Sequence, residues 1–168
     1  MTQLDMDQRT VRDLVPTFHA SIGVGPSQIH GIGVLAQSCI SPGQMLMRFG
    51  GVLLPAALRR DSRVLDSTAI GVAESVILAE SVGADKDLSD YLNHSCAPNS
   101  GLVDAVTLVA TTEIGQGVEI TVDYAYWEFD ETWTLKHPCQ CGSGDCRHSV
   151  SGCDWRSQIG RASCRERV

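Results

Sequence analysis

The chain has 168 residues, of which 43% are hydrophobic and 20% are charged, so it can fold as one domain, with or without a small appendage. Its 20 acidic residues outnumber its 13 Lys and Arg residues, and the net charge of −7 disfavours binding to a nucleic-acid backbone. No apolar run approaches the roughly 20 residues of a membrane span, and the polar N-terminus shows no secretory signal, so we expect an intracellular protein, cytoplasmic or nuclear.

The first third of the chain predicts short strands separated by glycine-rich turns. Residues 1–17 form a polar lead-in, and residues 18–40 predict two strands around a glycine-rich bend. The sequence SPGQ at 41–44 is typical of a turn, because proline presets φ and glycine permits a positive φ. Residues 45–54 predict a third strand, which the glycine pair at 50–51 interrupts.

The middle of the chain continues in short elements. Residues 55–62 are compatible with one helical turn, and the apolar stretch at 69–81 is ambiguous between helix and strand, with a strand preferred. An acidic helix start followed by a loop is predicted at 85–95, and two strands around a tight turn at 102–114. Residues 115–126 add a Gly-Gln-Gly turn and a last strand. Many short strands and few helices predict a mainly β fold.

The last ten residues, IGRASCRERV at 159–168, match the translation of a common sequencing-library adapter. We expect them to be an artefact of sequencing, and we exclude them from fold reasoning. Of the seven cysteines in the chain, Cys164 is excluded with them, which leaves six.

Three of these cysteines form a C-x-C-x4-C pattern in a glycine-rich loop: Cys139, Cys141 and Cys146. Thiolates at this spacing can converge on one tetrahedral zinc ion, at about 2.3 Å each. The pattern leaves three candidates for the fourth ligand: Cys96, His148 and Cys153. Segment 139–158 has too few apolar residues to become ordered by burial, whereas a structural zinc ion contributes roughly 10–16 kcal/mol of binding free energy. The sequence therefore predicts a tail ordered by zinc rather than by disulfides.

Four sequence blocks carry a family resemblance, namely HGIGVLA at 30–36, YLNHSCAPN at 91–99, GQGVEITVDYAY at 115–126 and CQCGSGDCRHS at 139–149. In this order they resemble the SET domain with its post-SET zinc tail, the family of protein-lysine methyltransferases. The resemblance implies a SET domain at 18–128 and a post-SET region at 129–158. The implied fold is mainly β and β-clip-like, with small curved sheets, a C-terminal pseudoknot and a zinc-binding tail.

The resemblance also implies an activity. A SET domain transfers a methyl group from S-adenosylmethionine to the side-chain amine of a lysine in a protein, so the implied partner is a histone tail or another basic protein. We further expect a monomer that makes no direct contact with nucleic acid or membrane.

Residue roles follow from the match to the family motifs. Tyr124 matches the catalytic tyrosine. The positions that match cofactor contacts are Ile32, Gly33, Asn93 and His94. The residues expected to contact the substrate lysine are Phe49, Val122, Tyr126 and Trp127. The resemblance selects Cys96 as the zinc ligand that joins Cys139, Cys141 and Cys146.

Two departures from the family pattern bear on function. The family's Y-x-G-E block is replaced here by Phe49, Gly50, Gly51 and Val52, so one hydroxyl and one carboxylate are missing. This motivates an alternative, a catalytically weak or inactive SET-fold module that binds a peptide or a cofactor. A further alternative is a zinc-stabilised interaction domain without a cofactor. In addition, Val122 replaces an aromatic residue, which predicts a wider lysine channel and higher methylation states.

Overall fold

The structure, a computed structural model, describes residues 13–156. The predicted lead-in is therefore described only from residue 13, and the adapter-like segment 159–168 lies outside the described residues. Within the described part of the chain, no helix is long and apolar enough to cross a membrane.

The described part of the chain forms twelve short strands, which confirms the mainly β prediction. Their bounds are β1 Asp13–Leu14, β2 Thr17–Phe18, β3 Ile22–Pro26, β4 Ile32–Ala36, β5 Met45–Arg48, β6 Gly51–Pro55, β7 Ile70–Ala73, β8 Val76–Ala79, β9 Asn93–His94, β10 Ser100–Leu102, β11 Thr107–Ala110 and β12 Glu119–Val122. Between residues 13 and 156, helical structure is limited to short 3₁₀ turns at Ala56–Leu58, Asp66–Thr68, Leu88–Tyr91, Tyr124–Tyr126 and Asp154–Arg156.

The strands assemble into three sheets of four strands each. The strand orders are β1-β6-β8-β7, β10-β11-β5-β2 and β3-β4-β12-β9. The largest apolar core lies between the sheets and includes Met47, Leu108 and Ile120, all of them completely buried.

The predicted strand at 45–54 is two strands that belong to different sheets. The chain changes sheet at the glycine pair. Gly51 has a φ of +125°, and a Cβ at this position would lie 2.6 Å from the carbonyl oxygen of Ala79. Because other residues do not tolerate this backbone conformation, glycine is required where β5 passes into β6.

The ambiguous segment at 69–81 is a hairpin of β7 and β8, as the preference for strand predicted. Ile77 and Leu78 are buried in it, which explains why its apolar residues are continuous rather than alternating. The predicted tight turn in 102–114 is also present. The Asp104 carboxylate accepts hydrogen bonds from the backbone N–H groups of Val106 and Thr107, at 2.8 and 2.7 Å.

The third sheet positions two of the predicted cofactor residues, Asn93 and His94. Strand β12 runs antiparallel to β4 and parallel to β9, with Thr121 opposite Asn93 and Val122 opposite His94. With a neighbour on each side, β12 is buried on both faces. The pairing places Asn93 and His94 beside the end of β12, and Tyr124 follows that end two residues later in the chain.

Candidate active site and metal centre

Two cavities share Tyr124 as a wall. The larger has a volume of about 410 Å³, and the smaller has a volume of about 60 Å³. We call them the large cavity and the small cavity. Residues from β7, β8, the link between β5 and β6 and the aromatic segment after β12 line the large cavity, whereas β9 and the cysteine-rich tail line the small one. Tyr124 therefore lies between the two cavities.

The backbone around Tyr124 is held by side chains of its neighbours. Asp123 accepts a hydrogen bond from the backbone N–H of Ala125 at 3.0 Å, which caps the 3₁₀ turn. The backbone N–H of Tyr124 donates to Nδ1 of His94 at 3.2 Å, and its hydroxyl donates to the carbonyl oxygen of Leu92 at 2.9 Å. Burial raises the pKa of Tyr124 to about 12, so the hydroxyl stays protonated at neutral pH.

Aromatic rings form much of the large cavity. Phe49 packs edge-on against Trp127 at 5.4 Å between ring centroids, and Tyr124 lies 5.9 Å from Trp127 and 6.1 Å from Trp133. Such rings suit both an aliphatic stem and a cation. Sequence reasoning placed Phe49 and Trp127 at the substrate, and both line this cavity.

Two other predicted substrate contacts, Val122 and Tyr126, lie outside the lining of both cavities. Val122 is completely buried between β9 and β4, and Tyr126 packs against the largest core. Their assignment to the substrate stays a prediction.

The large cavity also carries negative charge. Glu80 and Asp90 line it, and their carboxylate oxygens lie within 4.8 Å of each other and of Asp87. Burial, followed by the neighbouring Asp90 and Asp87, raises the pKa of Glu80 to about 7, although Lys86 opposes the shift. The cavity thus combines aromatic walls with carboxylates, which favours an elongated cationic guest.

Asn93 binds the glycine-rich loop to β12. Its amide nitrogen lies 2.8 Å from Oε1 of Glu119, 3.1 Å from the Ile32 carbonyl oxygen and 3.1 Å from Oγ of Ser27. A Cβ at Gly33 would lie 2.2 Å from the same Glu119 oxygen. Two predicted cofactor positions, Ile32 and Gly33, thus lie against Asn93 at the edge of the small cavity rather than in its lining.

The small cavity draws its walls from the domain body and from the tail. Asn93 and His94 line it as predicted cofactor residues, together with Leu135 of the tail. His30 and His137 also line it and stack on each other, at 4.4 Å between ring centroids. The sequence carried no signal for this pair, because its two members lie far apart in the chain.

Four cysteines converge at the junction of the tail and the body. The sulfur atoms of Cys96, Cys139, Cys141 and Cys146 all lie within 4.8 Å of one another. Of the three candidates for the fourth position, the structure brings Cys96 to the group, whereas His148 and Cys153 are outside it. A zinc ion bonded to four sulfurs at about 2.3 Å requires sulfur separations of roughly 3.8 Å, which four sulfurs within 4.8 Å of one another can provide.

Backbone N–H groups stabilise thiolate in this cluster. The N–H of Cys96 donates to Sγ of Cys141 at 3.5 Å, and the N–H of Arg147 donates to Sγ of Cys96 at 3.3 Å. Burial alone would raise the pKa of Cys141, but the N–H groups of Cys96 and Ser143 lower it to about 6. Burial raises the pKa of Cys139 and of Cys96. Four thiols with one of them already acidic form a donor set suited to zinc.

Sequence reasoning missed several residues that hold the site together. Glu119 and Asp123 stand inside the xEITxDY block, and Arg147 directly follows the third tail cysteine, so their positions within the motifs were an available signal. Trp133 was noted only as part of an aromatic run, and it lines the large cavity.

Comparison with known proteins places these features in a family. The chain is 32% identical over 149 residues to the histone-lysine N-methyltransferase trithorax of Drosophila virilis, a match that covers 81% of this chain and 4% of that protein. It is 29% identical over 136 residues to the Schizosaccharomyces pombe histone-lysine N-methyltransferase named as specific for H3 lysine-4, covering 73% of this chain and 14% of that protein. Human histone-lysine N-methyltransferase 2B is 29% identical to the chain over 154 residues, a match that covers 83% of this chain and 6% of that protein.

The chain thus spans only a small fraction of the length of these relatives, between 4% and 14%. The matching family model is that of the SET domain, and it covers residues 31–125, from the glycine-rich loop to the turn that carries Tyr124. Since this match extends over more than half of the chain, the chain belongs to the SET domain family.

Proposed function

We propose that this chain transfers a methyl group from S-adenosylmethionine to the side-chain amine of a lysine in a protein, a histone tail or another basic protein. The observation that carries the proposal is the position of Tyr124 as the common wall of a large cavity with aromatic residues and a small cavity beside the cysteine-rich tail. The relatives named as histone-lysine methyltransferases support the choice of reaction and of a nuclear substrate. We further propose that the chain acts as a monomer.

The large cavity suits the lysine. Phe49, Trp127 and Trp133 offer apolar surface for the aliphatic stem, while Glu80 attracts the cation toward the cavity. The amine must lose its proton before it reacts, which costs about 4.6 kcal/mol at pH 7 for a lysine with an ordinary pKa. Aromatic walls reduce this cost because they desolvate the charged form.

Tyr124 orients the amine rather than removing its proton. Its hydroxyl donates to the Leu92 carbonyl oxygen, so the phenol oxygen can accept an N–H from the substrate amine. With a pKa raised to about 12, Tyr124 is not ionised near neutral pH and cannot act as a base. The lysine proton therefore leaves to water, and Tyr124 contributes by holding the nitrogen lone pair in line with the methyl group.

The small cavity is the proposed site of the methyl donor. Asn93, His94 and the backbone at Ile32 and Gly33 would hold S-adenosylmethionine, which when bound supplies a methyl group on a positively charged sulfur. The polar groups and rings of this cavity suit such a molecule. Its volume of about 60 Å³ is smaller than the roughly 300–1,000 Å³ of typical ligand sites, so binding requires the stacked rings of His30 and His137 to separate.

A binding module without turnover is the second candidate, and one observation favours it. Phe49 replaces a family tyrosine and packs against Trp127, so the large cavity lacks one hydroxyl near the reacting amine. Val52 replaces the family glutamate and lies in the ladder between β6 and β8, opposite Ala79.

Methyl transfer from radiolabelled S-adenosylmethionine to histones and other basic proteins tests the proposal. We expect label on lysine, and mass spectrometry of the product then reads the methylation state, for which the small Val122 side chain predicts di- or trimethylation. Cofactor binding by calorimetry with no transfer across a broad peptide array would establish the binding module instead. Zinc near one ion per chain with no cofactor binding would contradict methyl transfer and support a zinc-stabilised interaction domain.

A further inference from the structure

We propose that Arg147 is a positioning residue that couples the cysteine cluster of the tail to the turn that carries Tyr124. This inference rests on the proposed methyl transfer for its kinetic consequence and on contacts between the tail and β12 for its structural basis. Arg147 bridges two parts of the chain that no sheet connects directly.

One end of this bridge is the cysteine cluster. Arg147 directly follows Cys146, and its backbone N–H donates to Sγ of Cys96 at 3.3 Å. Its position is therefore set by the same sulfur atoms that would bind zinc. Displacement of the tail cysteines from Cys96 would displace the Arg147 backbone with them.

The other end is a buried carboxylate. The guanidinium of Arg147 binds Asp123 with two parallel hydrogen bonds, Nη1 to Oδ2 at 3.0 Å and Nη2 to Oδ1 at 2.6 Å. Asp123 is only 1% exposed, and the Arg147 side chain is 13% exposed. Asp154 of the tail lies on the same guanidinium, with its Oδ2 at 3.3 Å from Nε. The two parallel hydrogen bonds from Arg147 fix the orientation of the Asp123 carboxylate as well as its distance from the guanidinium.

Asp123 passes this constraint to Tyr124. The same Oδ1 atom that binds Arg147 accepts the backbone N–H of Ala125, the cap of the turn that begins at Tyr124. A second contact runs in parallel, since His94 lies 3.3 Å from Sγ of Cys96 through Nε2 and accepts the Tyr124 N–H through Nδ1. Two chains of contacts thus lead from one sulfur to the backbone of the catalytic tyrosine.

The energetics make the Arg147 route the stronger constraint. A buried carboxylate that loses its paired cation is strongly destabilised. The Asp123 carboxylate would therefore move from its position, which weakens the hydrogen bond that caps the turn. Neither Arg147 nor Asp123 lines the large cavity, so a change at Arg147 leaves the lining of the large cavity in place. On the other side, Nη2 of Arg147 lies 3.3 Å from Nε2 of His94, which lines the small cavity.

The kinetic test compares Arg147→Gln with Arg147→Lys and with Arg156→Gln, a matched control in the same tail whose arginine pairs with exposed Glu131. Misplacement of a reacting group by about 1 Å can cost roughly 100-fold in rate. We expect kcat of Arg147→Gln to fall about 10- to 100-fold, with KM for the lysine substrate within about twofold. Arg147→Lys should recover part of the loss, and Arg156→Gln should leave kcat unchanged. A kcat for Arg147→Gln within about twofold of the parent chain would overturn the proposal.

A second measurement does not depend on activity. With only three tyrosines in the chain, ¹³C labelling of the tyrosine rings gives an NMR signal that Tyr124→Phe assigns. We expect zinc chelation to shift the Tyr124 signal in the parent chain, and Arg147→Gln to shift it with zinc still bound. The Arg147→Gln and Asp123→Asn pair should shift it less than Arg147→Gln alone, because no buried charge is left unpaired. An unmoved Tyr124 signal in zinc-loaded Arg147→Gln would refute the coupling even if methyl transfer itself were absent.

Discussion

Replacing Tyr124 by phenylalanine separates the chemical role of its hydroxyl from the structural role of its ring. The hydroxyl donates to the carbonyl oxygen of Leu92, a residue only 5% exposed. Loss of this hydrogen bond should lower the free energy of unfolding by about 1–2 kcal/mol. For a chain of this length, each kcal/mol lost lowers Tm by roughly 2–4 °C. The ring remains in place, so both cavities keep their common wall.

The expected catalytic loss is much larger than the loss of stability. One preorganised hydrogen-bonding group at a reacting centre contributes about 100- to 1,000-fold to kcat, or about 2.7–4 kcal/mol. Initial rates with radiolabelled methyl donor give kcat and KM, and calorimetry gives the affinity for the peptide. We expect kcat to fall by that factor. KM and the affinity for the peptide should both stay within about twofold of their values in the parent chain.

Tyr91→Phe is the matched control, because it removes a phenol oxygen outside both cavity linings. A folded Tyr124→Phe protein whose kcat stays within about threefold of the parent would refute the assignment of Tyr124. A loss that appears entirely in peptide affinity would also refute it, because the hydroxyl would then bind the ground state rather than orient the reacting amine.

Three further predictions concern charge and metal. As the pH rises through about 7, Glu80 ionises, and the affinity of the large cavity for a lysine peptide should increase. In calorimetry, Glu80→Gln should weaken this dependence of affinity on pH. An unchanged dependence in the variant would show that Glu80 is not its source. Arg59→Met leaves the buried Glu128 carboxylate without its bidentate partner and should cost about 3–5 kcal/mol in urea unfolding; adding Glu128→Leu should restore most of it, and failure to do so would mean that packing dominates. Cys96→Ser should reduce bound zinc well below one ion per chain by elemental analysis while Cys39→Ser does not, since Cys39 lies outside the cluster; equal zinc in both would contradict the four-sulfur site.

The local elements of this fold could be predicted because their signals are local. Glycine and proline mark the turn at 41–44, and Asp104 marks the turn between β10 and β11. The division of 45–54 into two sheets was not predictable, since it depends on which distant strands pair with β5 and with β6. A glycine pair indicates an interruption, but its sequence does not say to which sheet each half belongs.

In the candidate site, too, some residues could be predicted from the sequence and others could not. The three tail cysteines were predicted from their spacing and Cys96 from the family resemblance, and the structure brings all four together. The walls of the large cavity were harder to predict, because residues adjacent to Tyr124 in sequence are not all adjacent to it in space. Strand β12 directs Val122 into the core, whereas Trp133 reaches the cavity from the tail.

The parallel pairing of β9 with β12 has a consequence for the order in which this protein folds. The hairpins β3–β4, β7–β8 and β10–β11 join residues close in sequence and can form within microseconds. The sheet around Tyr124 requires Leu35 to meet Glu119 and Asn93 to meet Thr121, so it must first overcome the entropy of closing long loops. A ribosome-bound chain that has not yet released residue 122 can therefore form these hairpins but not the sheet beside Tyr124, and overall folding is expected in milliseconds to seconds.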